Sequence, residues 1–241
     1  MKEIKILHLF PRLMSLYGEY GGLRLLEREL RKGGHAVTVT AGDEGDVPFG
    51  DFDMIYVGSG TEEALLEGCR RLVPYGEGVR EAVSGGKTLF LATGNAMALF
   101  GKTLTRGEIA LEGAGAFGYE TIIEKKRYLG DALTTGENPF GAPCVGFVNT
   151  SCRFEAIDAP LLEMRLNPAL GNDKKSPAEG IFAGNFVGTQ LIGHLLVKNP
   201  HALGWVYEKL TGAEYTPDGE SNQVKAYEVA LKELTARLEV K

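Results

Sequence analysis

The stretch from Leu89 to Gly101, LFLATGNAMALFG, holds the turn at which this sequence could do chemistry. Its first half reads as a buried strand, Leu89 to Ala92, and its second as a helix carrying Leu99 and Phe100. A strand that turns sharply into a helix projects one side chain over free backbone N–H groups, the placement a nucleophile needs. The residue at the tip is Gly94, which has nothing to project. Two other residues could stand in, Thr93 as a hydroxyl nucleophile and His194 as a base. An unactivated hydroxyl lacks the few per cent of anion that a free thiol carries at neutral pH. In an extended strand His194 would share a face with Ile192 but lie ~6.6 Å further along. Their plainer roles are a packed strand-end threonine and a solvent-facing histidine.

The elements that must position this turn follow from changes of hydrophobic period. Ile4 to Phe10, Ala36 to Thr40, Asp53 to Gly58 and Lys87 to Ala92 read as strands. Between them lie helices: one with Leu23, Leu26 and Leu30 that stops at Gly33-Gly34, then Thr61 to Leu72 and Gly78 to Ser84. Strands alternating with helices predict an α/β fold, a mainly parallel sheet flanked by helices. Ligands bind beyond the carboxyl ends of such strands. That edge carries Pro11 to Gly18, Gly58 to Thr61, and Thr93-Gly94-Asn95.

From about residue 106 the pattern changes to short strands and glycine-rich turns, which predicts antiparallel strands added to the same unit. With no polar linker between the halves, residues 1–241 are expected to form a single domain. The polar run Asn167 to Glu179 reads as a mobile loop. Leu203 to Thr211 reads as a short helix, and Ser221 to Leu238 as a longer one. Val224, Tyr227, Leu231, Leu234 and Leu238 form the stripe by which the longer helix should pack on the body.

Composition sets outer bounds. The chain has 241 residues, 44% hydrophobic and 24% charged, ordinary for a globular protein able to bury a core. A formal net charge of −6, with no basic block larger than Lys125-Lys126-Arg127, points away from nucleic acid and anionic membranes. No apolar run approaches ~18 residues and no signal-peptide pattern opens the chain, so a cytoplasmic location without membrane insertion is expected. The three cysteines, Cys69, Cys144 and Cys152, form no CxxC pair and are odd in number, which argues against a disulfide framework or a cysteine zinc site.

Five stretches carry a resemblance to a known family: LFPRLMSLYGEYGGLRLLERE, IYVGSG, LATGNAMALFG, EKKRYLGD with GFVNTSCRF, and GNFVGTQLIGHLLVKNP. In order and spacing the chain resembles the class I glutamine amidotransferases of the cobyric acid synthase-like group, most of all the glutaminase subunit of lipid II isoglutaminyl synthase. That resemblance implies a flavodoxin-like fold and a glutaminase that needs no cofactor. Its ammonia would pass to a Mur-ligase-like partner amidating a peptidoglycan precursor, with glutamine as the small ligand.

Glutaminase chemistry of that kind needs a thiolate, a histidine and oxyanion donors. The family elbow reads Cys-Gly-Gly-Tyr-Gln, and aligning its downstream glycine on Gly101 puts the nucleophile position at Gly94. The family's Gly-Thr-Tyr-Leu-His-Gly aligns with Gly188-Thr189-Gln190-Leu191-Ile192-Gly193, putting the base position at Ile192. Neither residue can do the chemistry, and Thr150-Ser151-Cys152 stands where the family has His-Gly-Gly. The remaining site letters are better kept. Gly58 and Gly60 flank Ser59 in the loop that lends the family an oxyanion donor. Arg127 stands where the family places its substrate-carboxylate arginine, a role suited to a planar fork, although an exposed strand-end charge explains it equally. Asn95 reads either as a ligand contact or, more plainly, as a helix N-cap. Cys152 reads as an inert buried thiol. The expectation is an amidotransferase-like protein that binds a partner or ligand without hydrolysing glutamine; the alternative is an enzyme, either an active glutaminase with relocated groups that supplies ammonia to the Mur-ligase-like partner or one with different chemistry in the inherited pocket.

Overall fold

A computed structural model describes residues 1–44, 46–192 and 194–239. Gly193, the last letter of the second motif, lies outside them. The strands are β1 (Glu3–Leu9), β2 (Ala36–Gly42), β3 (Met54–Val57), β4 (Leu89–Thr93), β5 (Thr103–Arg106), β6 (Ile109–Glu112), β7 (Glu120–Thr134), β8 (Val145–Glu155), β9 (Leu162–Leu166), β10 (Ala178–Glu179), β11 (Ile181–Ala183), β12 (Phe186–Thr189) and β13 (Leu191–Ile192). The helices are α1 (Tyr20–Lys32), α2 (Glu62–Leu72), α3 (Gly76–Ser84), α4 (Leu195–Lys198), α5 (Pro200–Thr211) and α6 (Asn222–Glu239).

One sheet runs β11-β12-β4-β3-β1-β2, parallel except at β11. Every residue of β3 and β4 is buried, as expected for central parallel strands covered on both faces. Two apolar layers do the covering. One gathers Leu9, Phe90, Phe100 and Phe186; the other sets Ile6 and Leu91 against Leu26 of α1 and Leu203 of α5.

Local chemistry sets the helix ends. The Thr61 hydroxyl accepts the Ala64 N–H at 3.1 Å, and Glu62, Glu63, Arg70 and Arg71 complement the dipole of α2. α5 begins on Pro200 and ends on Gly212 in the left-handed region.

The second half builds the other sheet, where β7 and β8 pair antiparallel along most of their length and β13 adds to the far edge of β8. The predicted stripe of α6 packs there, Leu234 buried against Leu133, Val145 and Leu166, with Tyr227, Leu231 and Leu238 beside it. Among the described residues no helix is long and apolar enough to cross a membrane.

Two expectations are corrected. Residues 167–179 do not hang free: Leu170, Asn172 and Glu179 are buried, and Asn172 bonds both the N–H and the C=O of Gly180. A polar run can be rigid when its side chains find partners inside. His194 does not continue a strand either, because β13 ends at Ile192 and His194, at φ +64°, precedes α4.

Asn199, between α4 and α5, ties them to the start of β8. Fully buried, its Oδ1 accepts the Val145 N–H at 2.8 Å while Nδ2 donates to the carbonyls of Val145 at 3.0 Å and Leu195 at 2.9 Å. Asn199→Ala would leave the Val145 N–H and C=O buried without their side-chain partner, while the Leu195 carbonyl keeps the Asn199 backbone N–H, at a loss of about 2–4 kcal/mol in urea unfolding; a loss below about 0.5 kcal/mol would contradict that role.

Candidate functional site

The carboxyl ends of β1, β3, β4 and β12 meet at one edge of the parallel sheet. The loop after β1 is tied to the loop after β3, where the Leu16 N–H donates to the Ser59 carbonyl at 2.9 Å. Beside them β4 ends at Thr93, and a 3-10 helix starts at Gly94 with φ +63°. That left-handed angle is the backbone of a sharp strand-to-helix turn, so the elbow persists without its reactive side chain. A Cβ added at Gly94 would lie 1.6 Å from Ser59 Oγ, 2.9 Å from Ser59 Cβ and 3.0 Å from Ile192 Cγ2. The space over the turn is therefore filled, by Ser59 from one side and Ile192 from the other.

The loop's backbone donors are taken as well. The Ser59 N–H donates to Glu19 Oε2 at 2.6 Å, and the Gly60 N–H to Asn95 Oδ1 at 2.9 Å. Asn95 Nδ2 returns a bond to the Gly60 carbonyl at 2.8 Å, so Asn95 clamps this loop and caps no helix. The flanking glycines admit protein. A Cβ at Gly58 would sit 2.9 Å from the Met14 carbonyl oxygen, and one at Gly60 2.4 Å from Met14 Sδ.

Arg127 lies within β7, where the pairing with β8 is irregular between Ile123 and Tyr128. Its guanidinium pairs with Glu62 at 2.5 Å and donates to Asn149 Oδ1 at 3.0 Å. Ser151 donates to the same Glu62 oxygen at 2.7 Å. Burial works against the Glu62 carboxylate, but hydrogen bonds from Ser151 and its own N–H, with the Arg127 charge, outweigh it and hold the carboxyl below its ordinary range. Gly60, Asn95 and Arg127 line one cleft of about 180 Å³ together with Tyr17, Ser59 and Ser151; Gly58 is not part of its wall.

The two stand-ins are not hydrogen-bonded to each other. The Thr93 hydroxyl is buried without a partner among the described residues. The His194 ring lies against α1, its Nδ1 3.0 Å from where a Cβ on Gly21 would be, and it is half-buried rather than solvent-facing. Burial pushes the Cys152 thiol up to about 12. A pair the sequence reading missed, Cys144 and His201, has Sγ 3.6 Å from Nε2 at the start of β8. Burial raises that thiol and lowers His201 to about 4, so both stay neutral and no thiolate forms.

No protein-family model matches the chain. Over 210 residues, 87% of this chain and 85% of the relative, it is 26% identical to the lipid II isoglutaminyl synthase (glutamine-hydrolyzing) subunit GatD of Staphylococcus aureus. The GatD of Streptococcus pneumoniae is 24% identical over 235 residues, 96% of this chain and 88% of that one. The chain is a relative of the GatD subunits. One glutamine amidotransferase structure superposes with a TM-score of 0.53 at 12% identity, covering 86% of this chain and 99% of that one. A GMP synthase-like protein of Thermoplasma acidophilum gives 0.53 at 12%, with 87% and 94% covered. These two likenesses show the glutamine amidotransferase fold, including its parallel sheet.

Within this GatD-like frame, Ser59, Glu19 and Glu62 are the site residues that sequence reasoning passed over. The only signal for Ser59 was its place between two glycines; nothing local joins it to Glu19, 40 residues earlier. The steric coupling of Ser59 to Gly94 is measurable in a double-mutant cycle. Gly94→Ala should cost about 1–3 kcal/mol less in a Ser59→Gly background than in the wild type, read by urea unfolding. Equal costs in the two backgrounds would show that the hydroxymethyl group does not fill the elbow.

Proposed function

We propose that this GatD relative is a non-hydrolysing member of the glutaminase-subunit family that works by binding, with a Mur-ligase-like protein as partner in peptidoglycan-precursor metabolism. The observation that carries the reading is the filled elbow, where Ser59 and Ile192 crowd the position at which a nucleophile would be carried. Each further requirement of amide hydrolysis points the same way. Oxyanion stabilisation needs backbone donors aimed at the reacting oxygen, whereas the Ser59 and Gly60 N–H groups are bonded to Glu19 and Asn95. Recognition of a ligand carboxylate by Arg127 would have to displace Glu62 and Asn149 from its guanidinium. The partner is inferred from the two GatD relatives, each named as a subunit of a lipid II isoglutaminyl synthase.

Purified protein, alone and mixed with a Mur-ligase-like partner, is expected to release no ammonia or glutamate from glutamine above background while co-eluting with that partner in gel filtration. Turnover that disappears on Thr93→Ala or His194→Ala would overturn the reading and establish relocated catalytic groups.

A further inference from the structure

The C-terminal helix covers the body incompletely. Of the 18 residues of α6 only Leu234 is buried, and between this helix, α1, α4 and β8 runs a trench of about 590 Å³. Leu25, Val145, Val197, Ala226, Ala230 and Leu234 give it an apolar wall. Ala226 and Ala230 stand one turn apart on α6, and their short side chains keep the middle open. The wall residues of α6 extend from Asn222 to Arg237, about 22 Å along the helix axis. None of them belongs to the cleft at the elbow.

Shape and charge together select the occupant. The volume is that of a small-ligand site, and a helix, ~10–12 Å across, would need several times as much over the same length. A single hydrocarbon chain fits. Charge is spread unevenly along the trench. Arg28 pairs with Glu29 and Arg237 with Asp131, whereas Lys198 pairs with no acid among the described residues. Gln223 donates to the Leu196 carbonyl at 2.8 Å, which sets Lys198, at the end of α4, beside the first turn of α6 and Asn222. Glu233, about 16 Å further along the axis, pairs with no base among the described residues. One end therefore attracts an anionic head group and the other repels it.

We infer that this trench binds a free single-chain fatty acid, its carboxylate on the Lys198 ammonium and the Asn222 side-chain amide, its chain laid along Ala226 and Ala230 toward Leu234. Lys198 supplies the charge and Asn222 an N–H donor. Burial of the chain supplies the affinity, because each methylene removed from water adds a similar increment. The carboxylate fixes the direction in which the chain lies, since Glu233 opposes the reverse one. The site depends neither on the closed elbow nor on the partner.

The test is isothermal titration calorimetry of the full chain with octanoate, decanoate and dodecanoate below their micelle concentrations, and with dodecylammonium. The expected result is one saturable site, about fourfold tighter for each added methylene, with dodecylammonium at least about tenfold weaker than dodecanoate. Ala230→Trp, which fills the trench, should abolish dodecanoate binding. Lys198→Glu, at an exposed position, should weaken it about tenfold and keeps the test open if the first variant fails to fold. No saturable binding, an affinity independent of chain length, or dodecylammonium binding as tightly as dodecanoate would overturn the site. Dodecanoate binding undiminished in both variants would place the ligand elsewhere and overturn it equally. If the wild type binds no fatty acid while Ala230→Trp abolishes co-elution with the Mur-ligase-like partner, the trench docks protein and the inference falls. Because glutamine is absent from the calorimetry, failure here leaves the glutaminase result standing.

Discussion

The site depends on one steric fact: two side chains cannot occupy the volume above the turn between β4 and the helix that follows. Gly94 keeps the left-handed backbone of an elbow, and Ser59 reaches across from the neighbouring loop to fill what that backbone leaves open. With the apex occupied, the surrounding polar groups turn inward. Glu19 takes the Ser59 N–H, Asn95 takes the Gly60 N–H and Glu62 takes the Arg127 guanidinium. Buried or half-buried donors find partners wherever geometry permits, and the partners of these three donors come from the chain itself. In this cleft the loop's backbone donors and the Arg127 guanidinium are bonded within the chain, while the Ser59 and Thr93 hydroxyls have no partner among the described residues.

This organisation separates fold from chemistry. The parallel sheet and its covering layers need the apolar faces of β3 and β4, of α1 and of α5, and these are intact. The buried thiols contribute to that packing and, held neutral by burial, supply no nucleophile; Cys69 even donates its S–H to the Glu112 carbonyl. The apolar layers that hold this fold do not depend on a nucleophile at Gly94 or a base at Ile192, so fold and site chemistry can vary independently.

Much of this was legible in the sequence where the signal is periodic. The alternation of apolar segments placed β1 to β4 and the first three helices, and the strand-to-helix turn was readable from Leu89 to Gly101. Setting Gly94 against Ile192 required the family resemblance, and the structure has the two in contact range. Illegible were the tertiary choices. Asn95 has the local chemistry of an N-cap, but a loop 35 residues earlier offered it two bonds instead of one. His194 looked like a strand residue until the strand ended at Ile192 and its backbone turned left-handed. Asn167 to Glu179 looked mobile because polarity in sequence does not reveal whether partners wait inside. In each case a long-range contact overrode a sound local preference.

The central claim, that the oxyanion-loop donors are internally committed and not held open for substrate, is tested most directly by amide hydrogen exchange at Ser59 and Gly60 with and without saturating glutamine. Both amides should exchange slowly in the free protein and be unchanged by glutamine, as bonds to Glu19 and Asn95 require. Fast exchange in the free protein that becomes protected when glutamine is added would contradict the account.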